Sequence, residues 1–384
     1  MNPRVGSITG SLIREIAAKR KPHSIDLGLG EPSLLPNEAH LQAGMRYALQ
    51  HGLRYTLNAG DPQLRETIAR HYAYPHLAGA ENVCITTGSQ EATYASIKTM
   101  LDPASDELLV VEPAFPSYAK MATLEGIAVR SVAMREEEGF AFDAGRILDA
   151  VTPRTRMIVI CSPCNPTARV IRSDAVRELT RALLDRAKPV WVLHDEIYRE
   201  QTFVSDAGHF AREYPHTIVT NSVSKSNALT GLRLGWVLAP AEAAAEIVKV
   251  HAWLTSCADT FAQRVALHVF TTTGALAEHA QWYAQQRERI VALLEESGLP
   301  FIVPEGAFYA CVRLPHIDSL RAAHALADEY DVITVPGIAF GACFDSWLRL
   351  TWVSQPEQLR EGLSRIRAFT ERSPSYSGTS RPRR

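Results

Sequence analysis

VCITTGSQEATYASIKTML, residues 83 to 101, holds the fold in miniature. The apolar run VCITTG reads as a strand buried on both faces, and QEATYASIKTML reads as the helix that follows it. The unit then repeats. LLVVEP (108–113), MIVICSP (157–163), VWVLHDE (190–196) and TIVTNSVSK (217–225) are further buried strands. SYAKMATLEG and SDAVRELTRALLDRA are further helices, the second with Ser173 as its expected N-cap. Strand–helix alternation implies an α/β architecture, a mainly parallel sheet with helices on both faces. GWVLAP (235–240) follows its predecessor too closely for a helical crossover and is expected to run antiparallel.

Outward from this block the texture changes. AEAAAEIVKVHAWLTSC and residues 275 to 297 read as helices, the latter closed by Gly298. FYACVRLP, VITVPGIAF and WLRLTWV then read as strands around the helix SLRAAHALADEY, with a last helix over 356–371. The expected organisation is an N-terminal segment (1–34) joining a small α+β C-terminal domain (274–372), a large domain (35–273) between them, and a disordered polar, basic tail (373–384).

At 384 residues the chain is long enough for two domains, and its 46% hydrophobic and 21% charged residues are those of a globular protein. Forty basic and 42 acidic residues leave a net charge of −2, so no global field favours nucleic acid or an anionic membrane. No apolar run reaches the roughly 18 residues a membrane span needs. The N-terminus lacks the apolar core of a signal peptide, so a cytoplasmic location is expected. Six cysteines show no disulfide-framework spacing. Cys161 and Cys164 form a CxxC with no second half to complete a metal site, and read as small core residues.

Chemistry concentrates at the strand ends, where ligands bind in such sheets. In SVSKSNALTGLRLG (222–235), Lys225 can form a Schiff base with an aldehyde. Ser222 and Arg233 can hold a phosphate, and the small residues between let the backbone curl. In TTGSQEA (86–92), Gly88 permits a tight turn that puts the amides of Ser89 and Gln90 at a helix N-terminus, a second phosphate contact. In EPAFPSY (112–118), Phe115 lies between two prolines, a rigid platform for a planar heterocycle or a core residue. In SPCNPTARV (162–170), Asn165 offers an amide to a phenolate or a carboxylate, and Asn165–Pro166 is a candidate cis peptide. In HDEIY (194–198), Asp195 can keep a pyridine nitrogen protonated and Tyr198 can reach the same ring's phenolate oxygen. A metal site at His194, Asp195 and Glu196 is not expected, because neighbours on a strand point to opposite faces. Asn165, Asp195 and Lys225 are thirty residues apart, each one strand–helix unit beyond the last, so all three can project from one sheet edge.

These motifs together resemble those of the class I/II aminotransferases, fold type I enzymes that use pyridoxal 5'-phosphate (PLP). The likeness covers nearly the whole chain. Such enzymes usually have asparagine where Cys164 stands and glycine where Ala168 stands. The resemblance implies a seven-stranded sheet, a homodimer with its sites at the interface, and amino acid and 2-oxo acid substrates. It implies that Tyr55, in RYTLNAGDPQLR, reaches the phosphate bound by the neighbouring subunit. It also implies that Gly30, in GLGEP, and Arg349, in WLRLTW, hold the substrate's α-carboxylate with Asn165. VPGIAFG (335–341) is a further feature of the family's small domain.

The activity so implied is a ping-pong transfer of the α-amino group, with Lys225 as general base and then acid. A β-lyase, racemase or cyclising enzyme of the same fold stays open, because PLP-holding motifs do not choose the bond that breaks. A PLP-sensing transcription regulator would need a DNA-binding extension, and no helix-turn-helix or basic patch is visible. Dicarboxylate-specific relatives add a second arginine for the side-chain carboxylate. The sequence does not place one, which favours an apolar or aromatic amino donor.

Overall fold

The computed structural model describes residues 1–353 and 355–372. The expected disorder of 373–384 lies outside the described residues. The strands, in chain order, are β1 (Ile25–Asp26), β2 (Val83–Thr86), β3 (Glu107–Glu112), β4 (Ala128–Ala133), β5 (Thr155–Cys161), β6 (Trp191–Asp195), β7 (Thr217–Ser222) and β8 (Gly235–Leu238). They are followed by β9 (Phe301–Ile302), β10 (Tyr309–Arg313), β11 (Val332–Ile333), β12 (Val335–Pro336) and β13 (Trp347–Thr351).

Seven strands form the central sheet in the order β2-β8-β7-β6-β5-β3-β4. All neighbours run parallel except β8, which is antiparallel to both β2 and β7. That is the direction expected of GWVLAP, whose connection is too short to recross the sheet. β2 and β7 are buried at every position, as their unbroken apolar and β-branched text requires of strands covered on both faces. The pairings Cys161↔Asp195 and Asp195↔Thr220 align the carboxyl ends of β5, β6 and β7. Asn165, Asp195 and Lys225 therefore leave the sheet at the same edge.

Helices cover the sheet with the faces their sequences mark out. Ser89–Met100 buries Ala92, Thr93, Ala95, Ser96 and Ile97, small residues that allow close approach to the strands. Ser173–Leu184 buries Val176, Leu179, Thr180 and Leu183, one stripe of a 3.6-residue repeat. Its N-cap is Arg172 rather than Ser173, and no side chain caps it. A bridge between Arg172 and Ala207 fixes the entering backbone, and the Ser173 hydroxyl turns to the Ala207 carbonyl, 3.4 Å away. Glu278–Ser297 ends at Gly298 in the left-handed region, φ 66°, as expected.

The remaining strands form an antiparallel sheet, β12-β13-β10-β9, and a pair, β1-β11. Ile25 pairs with Val332 and Asp26 with Ile333, so the N-terminal segment is stitched to the C-terminal part of the chain. One core cluster continues that link, joining Ile16, Ile25 and Leu27 to residues of the last helix, including Leu359, Leu363 and Ile366. The Asn165–Pro166 peptide is not cis; the cis bonds are Glu112–Pro113 and Ser162–Pro163. No helix among the described residues is long and apolar enough to cross a membrane.

Candidate active site

A cavity of about 480 Å³ opens at the carboxyl edge of the central sheet. Gly30, Ser89, Gln90, Phe115, Asn165, Asp195, Tyr198, Lys225 and Arg233 line it, from segments spread over two hundred residues. The backbone of each segment explains its place. Gly88, at φ 82°, turns the chain from β2 into the helix Ser89–Met100, so the first helical amides face the opening. A Cβ on Gly88 would stand 2.7 Å from the Arg233 guanidinium, so glycine also makes room for that arginine. Gly30 lies against the Tyr309 hydroxyl, 2.6 Å from where a Cβ would be.

Lys225 sits in the short helix Val223–Ser226 just past β7, its backbone carbonyl accepting from Gln201 Nε2 at 2.8 Å. Its Nζ donates to the Gly30 carbonyl at 2.6 Å and, among the described residues, has no carboxylate partner. Burial lowers its pKa, Glu31 opposes, and Arg349 and Arg233 add to the lowering, leaving it at about 8. Such an amine is neutral for a useful fraction of the time near neutral pH, which a nucleophile or base requires.

Asp195, the last residue of β6, accepts from the Tyr118 hydroxyl at 2.6 Å and from the Ile197 N–H at 3.2 Å. Burial raises its pKa, and these hydrogen bonds offset only part of the effect. Among the described residues it has no ion-pair partner. A protonated ring nitrogen would supply the missing cation. Tyr198 shares a 2.6 Å hydrogen bond with Tyr309, which also lines the cavity.

Arg349, in β13, is buried deep beside the cavity, its guanidinium 4.4 Å from the centre of the Tyr309 ring. It donates to Asn165 Oδ1 at 3.1 Å and to the Gly28 carbonyl at 2.5 Å, while its Nε has no acceptor among the described residues. The proposed carboxylate pair, Asn165 and Arg349, is thus joined directly.

Two expected phosphate ligands stand off the cavity wall. Ser222 is buried, and its hydroxyl accepts from the Ser224 N–H at 3.1 Å; Ser224 itself lines the cavity. Tyr55 is 89% exposed and lines a separate surface depression with Leu53, Arg54 and residues 257–260. Tyr118, Tyr309 and Arg14 are site residues that sequence reasoning did not assign. Tyr118 had a signal, two positions after a proline in the Phe115 motif. Arg14 and Tyr309 had none, because they arrive from distant segments.

The six cysteines are free, and the CxxC thiols serve separate carbonyls: Cys161 donates to Pro163 and Cys164 to Pro113. On the far side of β6, ligand atoms of His194, Glu196 and His209 lie within 4.8 Å of one another. His194 and Glu196, two apart in sequence, share a face and lie 3.0 Å from each other. Arg199 donates to Glu196 at 2.7 Å, so a guanidinium already balances this carboxylate.

The sequence matches the family model for aminotransferases of class I and II over residues 22–366. It is 33% identical to an aspartate aminotransferase of Pyrococcus horikoshii, over 96% of each chain. It is 32% identical to a probable N-acetyl-LL-diaminopimelate aminotransferase of Bacillus subtilis, over 96% of this chain and 95% of that one. Its fold superposes on an aspartate aminotransferase from Thermus thermophilus, solved with maleate, at a TM-score of 0.89. That pair is 30% identical over 96% of this chain and 99% of the other. The chain belongs to the class I and II aminotransferases: it has the type I fold of PLP enzymes and is a PLP-dependent transaminase acting on amino acids and 2-oxo acids. The cavity fits that cofactor, offering an amine of lowered pKa, a buried carboxylate lacking a cation, and a helix N-terminus beside Arg233.

Proposed function

We propose that Lys225 carries the cofactor and moves the proton of the reaction, and that the other groups in the cavity hold cofactor and substrate around it. One observation carries this reading: Asn165, Asp195 and Lys225, from three successive strand–helix units, converge on one cavity in which, among the described residues, no carboxylate lies at ion-pair distance from the lysine. PLP supplies an aldehyde for the amino group and a ring that accepts the electron pair left when Cα–H breaks. Asp195 holds a proton on the ring nitrogen, and Tyr198 donates to the phenolic oxygen. Phe115, in the cavity wall, would offer its face to the ring. Arg233, Ser222 and the amides of Ser89 and Gln90 after Gly88 bind the phosphate. Arg349 and Asn165 grip the α-carboxylate beside Gly30, fixing which substituent on Cα faces Lys225. The neutral Nζ takes that proton and holds it for return.

We further propose a homodimer whose sites lie at the interface, working in the cytoplasm, with residues 1–34 and 274–372 forming a small domain beside a large one, 35–273. The pairing of β1 with β11 supports the division. The free thiols support the location. Met45, Leu49, Leu53 and Leu57, which flank Tyr55 in sequence, are all exposed, and so is Trp253, which supports the interface. Tyr55 then serves the partner's phosphate.

Mixing Tyr55→Phe with Lys225→Ala subunits tests the shared site. A heterodimer would contain one site lacking both groups and one intact site with wild-type PLP affinity. In Tyr55→Phe homodimers, affinity should fall by about one to two powers of ten. Weakened affinity at every lysine-bearing site of the heterodimers would place Tyr55 in its own subunit's site, and a fully active monomer in sedimentation would refute the interface.

A further inference from the structure

The turn that carries β2 into the helix Ser89–Met100 is held by two residues that the assignments above leave without work, Glu91 and His251. Gly88 is the N-cap of that helix and offers its first-turn amides no side chain. Two N–H groups find acceptors within the turn: that of Gly88 donates to the Thr86 carbonyl at 2.9 Å, and that of Thr87 to Glu91 Oε2 at 2.5 Å. The next two, on Ser89 and Gln90, open the helix and have no preceding turn to bond to. On its other side the turn lies against β8, where a Cβ on Gly235 would stand 2.5 Å from the Ser89 nitrogen.

Glu91 is itself fixed. Its second oxygen, Oε1, lies 2.7 Å from His251 Nδ1 and accepts from the Thr255 hydroxyl at 3.4 Å. Both partners belong to the helix Ala241–Thr255, which packs on Ser89–Met100. The His251 side chain is fully buried and that of Glu91 nearly so. Burial pushes the Glu91 carboxyl up, but hydrogen bonds from His251 and Thr87 outweigh that and leave its pKa lowered, so the group is an anion. A carboxylate only accepts, so Nδ1 carries the proton of the bond between them. Nε2 has no partner among the described residues, and the imidazole is tied down on its Nδ1 side alone.

On the reading of the site given above, Arg233 and the amides of Ser89 and Gln90 hold the cofactor's phosphate, and we propose that Glu91 and His251 are positioning residues for that phosphate. Neither touches cofactor or substrate; each acts through the turn. Glu91 gives the Thr87 N–H its acceptor and so fixes the direction in which the next two amides point. Without it the turn is free to relax. His251 does a second job. A carboxylate in a first helical turn is drawn to the free amides there, where it would occupy the place of the phosphate and repel it. With Oε2 on Thr87 and Oε1 on His251, Glu91 is kept off the amides of Ser89 and Gln90. The anion-binding turn is thus built before its ligand arrives, and its nearest acid is turned away from it.

The test titrates the full chain, freed of cofactor, with PLP and with pyridoxal, which has the same ring and aldehyde but no phosphate. Visible absorbance gives a Kd for each. The wild type should bind PLP much the more tightly. In Glu91→Ala and in His251→Leu the Kd for PLP should rise about tenfold, while that for pyridoxal stays unchanged. Inorganic phosphate, competing against PLP, should weaken by the same factor. Glu91→Gln keeps an acceptor for Thr87, and His251→Asn keeps an N–H near the place of Nδ1, so each should recover part of the loss. These two also serve if either truncation fails to fold. Equal losses for PLP and pyridoxal would make the pair structural only and overturn the proposal, as would unchanged PLP affinity in all four variants. Both outcomes leave the site reading intact when the wild type prefers PLP. A wild type that binds pyridoxal as tightly as PLP defeats the reading of the phosphate site itself, and the role of Glu91 and His251 with it.

Discussion

Asp195 and Glu196 are adjacent, both buried, and chemically alike, yet the fold treats them in opposite ways. Glu196 points away from the cavity into a closed network. It accepts from Tyr74 at 2.8 Å and from Arg199 at 2.7 Å, and it lies 3.0 Å from both His194 and His209. Burial raises its pKa, but Arg199 and the histidines outweigh that and hold the carboxyl well below the usual range. Asp195 points into the cavity, accepts from one hydroxyl and one amide, and has its pKa raised. A buried carboxylate with its own guanidinium is complete and holds structure. One without a cation is incomplete until a ligand brings one, and that incompleteness marks a site. Lys225 is its counterpart, a part-buried amine with no anion at ion-pair distance among the described residues.

Substituting each carboxylate by its amide should separate the two roles. Asp195→Asn keeps shape and removes the charge that holds the ring proton. The variant should fold and bind PLP yet lose about two to three powers of ten in kcat. Glu196→Gln should do the reverse. It leaves the part-buried Arg199 without its main counter-ion, a loss of about 3 kcal/mol in denaturant unfolding, while turnover of the folded protein stays near wild type. Near-normal turnover in Asp195→Asn, or unchanged stability in Glu196→Gln, would erase the distinction.

A smaller effect concerns the amine. Only the neutral form of Lys225 attacks an aldehyde, and burial brings its pKa from 10.5 to about 8. The rate at which cofactor-free protein takes up PLP should therefore rise with pH and level off above a midpoint near 8. A midpoint near the ordinary lysine value would mean that the amine is solvated rather than buried.

What the sequence made legible was local. Buried strands announce themselves through unbroken apolar runs, and the thirty-residue spacing of Asn165, Asp195 and Lys225 follows from one strand–helix unit apiece. β4 was silent because it is an edge strand whose middle residues, Val129, Arg130 and Ser131, are exposed and carry no apolar run. The Glu196 network joins Tyr74, 122 residues away, to a carboxylate, and no local pattern encodes such a meeting. Arg14 and Tyr309 were unreadable for the same reason. Ser173 misled because a good capping residue standing one place inside the helix looks the same in sequence as one standing at its end.

The most direct measurement is borohydride reduction of the PLP-loaded protein followed by peptide mapping. The pyridoxyl label should appear on the peptide containing SVSKSNALTGLR, at Lys225, and Lys225→Ala should lose both the label and transamination while still binding PLP. A label on any other lysine, or transamination by Lys225→Ala, would contradict the assignment of the site.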